Sequence, residues 1–284
     1  MSSIEPNDVA AWRDAIGRVR TETQYLDAAT LQRFLLVLGE SSGRELEAVP
    51  EMAHWAYFLP MTSNSEIGPD GHAQRGNFMP PITLRRRMFA GGTTRFIRSL
   101  LVSREATCST RIADVTHKAG RSGDLVFVEL ERTLTQAGET CVIETQTIVF
   151  SNPVATVSRV EPTDPAALEY PVWTPGPVDL FRFSAVTFNA HRIHYDEPYA
   201  CREEGYPGLV VHGPLTASML CRLAARALGD GRMTSFSFRA AAPLFAGQPV
   251  RLRTVVEGGT VEATARRQDG VIAVTGSATF TLKA

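Results

Sequence analysis

The sequence predicts an α+β protein built from a repeated unit, in which a helical part is followed by an antiparallel sheet of about four strands. Three observations carry that reading. Residues 94–150 hold runs rich in Val, Ile, Thr and Phe, separated by Gly-containing turns such as AGRSGD and QAGE. Residues 152–177 contain six prolines and no sustained period, as a linker would. After them the order of helix and strands returns, so each sheet is expected to wrap its own helix. The expected division is an N-terminal unit over 1–155, a linker over 156–177 and a C-terminal unit over 178–284.

Along the first unit, residues 8–20 (DVAAWRDAIGRVR) place apolar side chains at helical intervals behind Asp8, a suitable N-cap. A second helix is expected after Asp27, through TLQRFLLVLGE. The short aromatic stretch EMAHWAYFLP reads as either helix or strand entering the core. Residues 60–93 are rich in Gly, Pro, Asn and Asp and read as loop, and a loop that long is functional or mobile. It carries Arg85, Arg86 and Arg87 ahead of Gly91 and Gly92. These form either a solvated basic turn or a clamp for phosphate or carboxylate, because a guanidinium presents paired donors. Strands are expected at TRFIRSLLVS, ATCSTRIADVTHKAG, DLVFVELERTLTQ and TCVIETQTIVF.

In the second unit DLFRFSAVT reads as a short strand. The segment GPLTASMLCRLAARALG reads as a buried helix whose small residues admit a close sheet, stopped by Gly229. Four strands follow, at TSFSFRAAAP, PVRLRTVVEG, TVEATARRQ and VIAVTGSATFTLK.

Composition bounds the function. In 284 residues, 29 Lys and Arg against 30 Asp and Glu give a net charge of -1, so no long-range field draws nucleic acid or an anionic membrane. The four cysteines show no C-x-x-C pair, which suits free thiols in a reducing compartment. No apolar run approaches the ~20 residues of a membrane span and MSSIEPNDVAAW lacks a signal pattern, so a cytoplasmic location is expected.

The chemistry concentrates in residues 181–220. His191 and His194 lie three apart, Asp196 follows, and YPGLVVHGPL leads into the helix. Gly213 stands at the helix N-terminus, where unpaired N–H groups and the helix dipole favour a developing oxyanion and no Cβ obstructs it. The plain alternative is a helix start with Pro214 at its favoured first position. His194 suits proton transfer near neutral pH. H-x-x-H-x-D could also hold zinc, but no distant ligand is evident, and no G-x-S-x-G elbow supports a serine hydrolase.

FSAVTFNAHRIHYD followed by YPGLVVHGPL resembles the hydratase motif of MaoC-like enoyl-thioester hydratases and dehydratases. T-F-N-A-H-x-I-H-Y-D, AHWAYFLP, RRRMFAGG and HKAGRSGDLVFVELERTLTQ resemble more narrowly the branch of mitochondrial-type 3-hydroxyacyl-thioester dehydratases and bacterial 3-methylfumaryl-CoA (mesaconyl-C4-CoA) hydratases. The resemblance implies a double hot-dog fold, with hydration of an enoyl-CoA to a 3-hydroxyacyl-CoA such as citramalyl-CoA. It implies His194 as catalytic histidine and Gly213, preceded by His212, as oxyanion site. The family's catalytic aspartate falls on Asn189, and an amide is no base, so a single-base reaction is expected, with Asn189 orienting the water.

Further expectations attach to neighbouring residues. Arg86, Arg87 and Arg192, with His191 and His212, are expected to bind substrate, and Asp196 and Tyr195 to support the site. Asp196 would either hold the His194 tautomer or cap the following turn. No metal or redox cofactor is expected, CoA being part of the substrate, and a homo-oligomer is compatible with the sequence. The competing readings are a fatty-acyl dehydratase on CoA or carrier protein, a hot-dog thioesterase, and a non-catalytic acyl-thioester-binding module. The N-terminal unit, lacking an N-x-H-x-x-H segment, is expected to cover the substrate.

Overall fold

In the computed structural model residues 4–41, 45–120, 123–152, 171–229 and 231–281 are described. The first half comprises α1 (Pro6–Arg13), β1 (Val19–Tyr25), α2 (Ala28–Val37) and the long strands β2 (Arg86–Phe96), β3 (Glu105–Gly120), β4 (Gly123–Gln136) and β5 (Glu139–Ser151). The second comprises β6 (Val172–Trp173), α3 (Pro177–Val186), α4 (Glu197–Arg202), α5 (Gly213–Leu228), β7 (Arg232–Ala240), β8 (Val250–Glu257), β9 (Thr260–Arg267) and β10 (Ile272–Thr281). Most of the expected linker lies outside the described residues. Its described end supplies β6, which pairs with β8 at the edge of the second sheet.

The ten strands pair antiparallel into one sheet in the order β1-β3-β4-β5-β2-β7-β10-β9-β8-β6. The seam between halves is β2 against β7, where Gly91 faces Arg239 and Gly92 faces Phe238. A Cβ on Gly91 would come within 2.5 Å of the Phe238 carbonyl oxygen. The double glycine is therefore required by strand packing. Arg86 and Arg87 also sit on β2, paired with Ser151 and Phe150, and not in a loop.

Helix α5 buries Leu215, Ala217, Leu220, Cys221 and Ala224 against the second sheet. Gly276 on β10 makes room for the Phe236 ring, whose Cζ an ideal Cβ would approach to 2.9 Å, while Leu220 of α5 packs at an ordinary 3.6 Å. The main core runs without interruption from Leu31 and Phe34 of α2 through Cys108 and Leu134 to the α5 face. Among the described residues this cluster spans both units, and a second one, around Trp12, Ile112, Val128 and Phe150, belongs to the first.

Three elements differ from the sequence reading: the strand expected at 94–103 is instead the end of β2, which stops at Phe96, and two others change type or length. The helix expected over 8–20 ends at Arg13: Gly17 takes φ +86° and Val19–Tyr25 becomes an edge strand on β3, so ladder pairing overrides the helical period. DLFRFSAVT forms α3, not a strand. Pro177 occupies its first turn, Asp179 accepts from the Gly176 N–H at 2.8 Å, and Leu180, Phe183 and Ser184 line its buried face. Those cap signals and the i, i+3, i+4 spacing outweigh the β-formers in the stretch.

Candidate active site

The chain leaves α3 through Phe188, at φ 48°, and turns on Asn189, whose Oδ1 accepts the His191 N–H at 3.0 Å. A single 3₁₀ turn over Arg192–His194 follows, and Asp196 caps α4 by accepting from the Tyr199 N–H at 3.1 Å. This puts His194 in the wall of a groove of about 1270 Å³ that also exposes His191, Asn189, Tyr195 and Gly213.

His194 Nδ1 lies 2.7 Å from the Val210 carbonyl oxygen. A carbonyl only accepts, so Nδ1 carries the proton and Nε2 keeps its lone pair. Burial lowers the imidazole pKa to about 4, against the partial opposition of that hydrogen bond, and the ring is neutral at pH 7. Its face stacks on His212 with centroids 3.6 Å apart. Since His212 immediately precedes Gly213, the stack sets the imidazole beside the α5 N-terminus. An ideal Cβ on Gly213 would meet only the Phe89 carbonyl, at an ordinary 3.5 Å. Protein packing does not demand glycine there; the open side faces the groove.

Several expected site residues are engaged elsewhere. His212 is fully buried, bonded to Ser184 Oγ at 2.9 Å, and backs His194 without reaching the groove wall. Arg192 pairs with Asp196 at 2.7 Å, reaches the Pro69 carbonyl at 3.0 Å and lies over the Tyr199 ring. Asp196 is accordingly a cap and an ion-pair partner, and the Val210 carbonyl, not Asp196, fixes the His194 tautomer. Arg86 pairs with Glu204 at 3.2 Å across the two halves and lies over Tyr206. Arg87 lines the groove and, among the described residues, has no ion-pair partner.

The sequence reading missed Asp70 and His72. The long loop brings them from the first half onto the catalytic turn: the Arg192 N–H donates to the Asp70 carbonyl at 2.9 Å. Gly71, at φ +91°, lies so close to the Ala190 carbonyl that a Cβ would overlap it. The His72 ring packs tilted against His191, centroids 4.1 Å apart, and His191 meets His194 edge-on at 5.4 Å. The only signal in sequence was the length of the loop.

Asp70, His72 and His191 form a group whose ligand atoms lie within 4.8 Å of one another and could converge on a metal. The charges of Arg87 and Arg75 already act on His72, so a divalent cation would enter a positive field. Burial and those cations lower the His72 pKa, and burial with the neighbouring rings lowers that of His191 strongly.

A neutral imidazole set beside a helix N-terminus can shuttle a proton next to an oxyanion site. A family model described as hydroxyacyl-thioester dehydratase type 2 matches residues 52–246. The chain belongs to this family. It is therefore a hydro-lyase of the hydratase and dehydratase type. It is 45% identical over 229 residues, 80% of this chain and 81% of the relative, to the mesaconyl-C(4)-CoA hydratase of Chloroflexus aurantiacus. It is 25% identical over 260 residues, 79% of this chain and 83% of the relative, to the mitochondrial hydroxyacyl-thioester dehydratase type 2 of Schizosaccharomyces pombe. Among solved structures, HtdX of Mycobacterium tuberculosis superposes with TM-score 0.69 at 20% identity, covering 93% of this chain and all (100%) of that one. A MaoC-like dehydratase from Phytophthora capsici gives TM-score 0.70 at 15% identity, covering 97% and 98%. These likenesses confirm the double hot-dog fold. No described helix is long and apolar enough to cross a membrane.

Proposed function

We propose that this hydro-lyase adds water to an enoyl-CoA, with 3-methylfumaryl-CoA as substrate and citramalyl-CoA as product. The observation that carries the chemistry is the neutral His194, its Nδ1–H spent on Val210 and its Nε2 free, held by the His212 stack beside Gly213. The 45% identity with the Chloroflexus aurantiacus enzyme supports the choice of acyl group.

Nε2 takes a proton from water as the water oxygen bonds to the β-carbon. Electrons move onto the thioester oxygen, and the N–H groups opening α5 stabilise the enolate. Asn189, whose Oδ1 is held by the His191 N–H, orients the water through Nδ2. An imidazole with a lowered pKa is a modest base but, once protonated, a strong acid. His194 therefore hands the same proton to the α-carbon, which balances the addition without a carboxylate at position 189. Run backwards, the steps are a dehydration. CoA enters as part of the substrate, and the scheme uses no metal or redox group.

The test is a panel of enoyl-CoA thioesters, including crotonyl-CoA and 3-methylfumaryl-CoA, assayed for hydration and for thiol release. Hydration without thiol release is expected, with kcat falling by ~10²–10⁴ in His194→Ala. Thiol release without hydration, or near-normal hydration by His194→Ala, would overturn the proposal.

A further inference from the structure

Resting on that hydratase reading, we propose that Arg87 is the receptor for a free carboxylate on the β-carbon of the acyl group. The turn carrying Asp70 and His72 keeps the receptor open, so the first half, which holds no catalytic histidine, sets the specificity.

Five arginines line the groove: Arg20, Arg75, Arg86, Arg87 and Arg132. Four are committed. Arg20 pairs with Glu22 at 3.4 Å, Arg86 with Glu204 at 3.2 Å, and Arg132 with the buried Glu144 at 3.1 Å. Arg75 donates to the carbonyls of Ile82 and Arg85 at 2.7 and 2.9 Å, and its guanidinium lies 4.8 Å over the Phe150 ring. Only Arg87 reaches the groove with no acceptor among the described residues.

The charge of Asp70 acts on Arg87, yet among the described residues the two form no ion pair. Asp70 Oδ1 accepts the backbone N–H of His72 at 3.0 Å and Oδ2 lies 3.2 Å from His72 Nδ1, so both oxygens are occupied. Burial and the charge of Arg75, against the opposing charge of Asp70, pull the Arg87 pKa down to about 10, as for a buried guanidinium without a directly paired counter-ion. An incoming carboxylate would supply that counter-ion and accept paired hydrogen bonds from the guanidinium fork.

The position also fits the acyl geometry. Arg87 lines the same groove as His191, His194 and Gly213. On β2 it lies two residues before Phe89, whose carbonyl oxygen is 3.5 Å from an ideal Cβ on Gly213, so the strand carries the receptor into the part of the groove onto which α5 opens. With its thioester oxygen at the α5 N-terminus and its β-carbon beside His194, the substrate would direct a β-carboxylate towards Arg87. A plain alkyl chain would leave the guanidinium desolvated and unpaired, which is a penalty and therefore a filter.

The experiment compares Arg87→Met and Arg87→Lys with the parent enzyme. The substrates are 3-methylfumaryl-CoA and its neutral isostere 3-methylcrotonyl-CoA, in which a methyl replaces the carboxylate, with crotonyl-CoA as a further uncharged substrate. Arg87→Met is expected to lose about 10²-fold in kcat/KM on the dicarboxylic thioester, chiefly through KM, while holding or gaining on the neutral ones. Arg87→Lys should recover part of the loss, which a folding defect would not do. Equal losses on charged and neutral thioesters would assign Arg87 to the CoA moiety common to both and overturn the proposal. So would an unchanged charged-to-neutral ratio, or zinc stimulation of the parent enzyme reversed by EDTA, which would make the Asp70–His72–His191 cluster a cation site. A parent enzyme that hydrates crotonyl-CoA but not 3-methylfumaryl-CoA ends the receptor and leaves the hydratase. One that hydrates neither ends both.

Discussion

In the proposed reaction the protonation state of His194 sets the rate. Free histidine titrates near 6.5, and burial lowers this ring to about 4. With crotonyl-CoA, which has no carboxylate of its own, kcat/KM should stay flat from neutral pH down to about 5 and fall below that. A limb near 6.5 in the pH profile would mean a hydrated imidazole and a different site. The same shift has a stability consequence. The folded pKa lies below the unfolded one, so the neutral ring contributes stability that is present above pH 6.5 and lost as pH falls towards 4. Over that window the unfolded chain binds the extra proton, at up to ~1.4 kcal/mol per pH unit. His191 and His212, also shifted down chiefly by burial, act in the same direction.

Among the elements, α5 has two tasks. Its flank closes the core with small and branched apolar side chains, and its N-terminus faces the groove. Gly213 separates them. Alanine fits the helix there and meets only the Phe89 carbonyl at 3.5 Å, so Gly213→Ala should leave the melting temperature unchanged or slightly raised, by up to ~1 kcal/mol of stability. Its methyl would intrude on the approach to the helix N–H groups, and kcat should drop by about 10-fold or more. A thermal melt read beside the hydration rate decides the point: a destabilised variant, or one fully active, would remove the oxyanion role. The turn that carries His194 is held by a second element, the Asp70–His72 loop of the first half: Arg192 donates to the Pro69 carbonyl, and Gly71 packs against the Ala190 carbonyl.

For the molecule as a whole, the sheet crosses from β2 to β7 without a break and the main core spans both halves. Glu144 adds a buried centre in the first half. Burial alone would raise its pKa, yet His54 at 3.3 Å and Arg132 at 3.1 Å hold it down to about 2, while Trp55 donates at 2.7 Å. The units divided at 155 and 178 are thus joined by strand pairing and by one core cluster, while a second cluster lies wholly within the first. Denaturation followed by urea should show a single transition, and residues 178–284 expressed alone should expose the β7 edge and lose hydration activity. Two resolved transitions, or an active isolated half, would establish independent domains.

The sequence by itself determined what is local. Alternating β-branched runs marked β3–β5 and β7–β10, Gly229 marked the end of α5, and the H-x-x-H…H-G wording marked His194 and Gly213. These signals lie within one strand, one helix or one turn, where spacing dictates which side chains share a face. The tertiary structure decided everything that joins distant segments. It turned residues 19–25 into an edge strand, gave Gly91 and Gly92 to the seam, committed Arg86 to Glu204, and left Arg87 without an ion pair among the described residues. It also set His72 against His191. Partner choice among charges and ladders depends on distances between segments some hundred residues apart, and those distances exist only once the chain has folded.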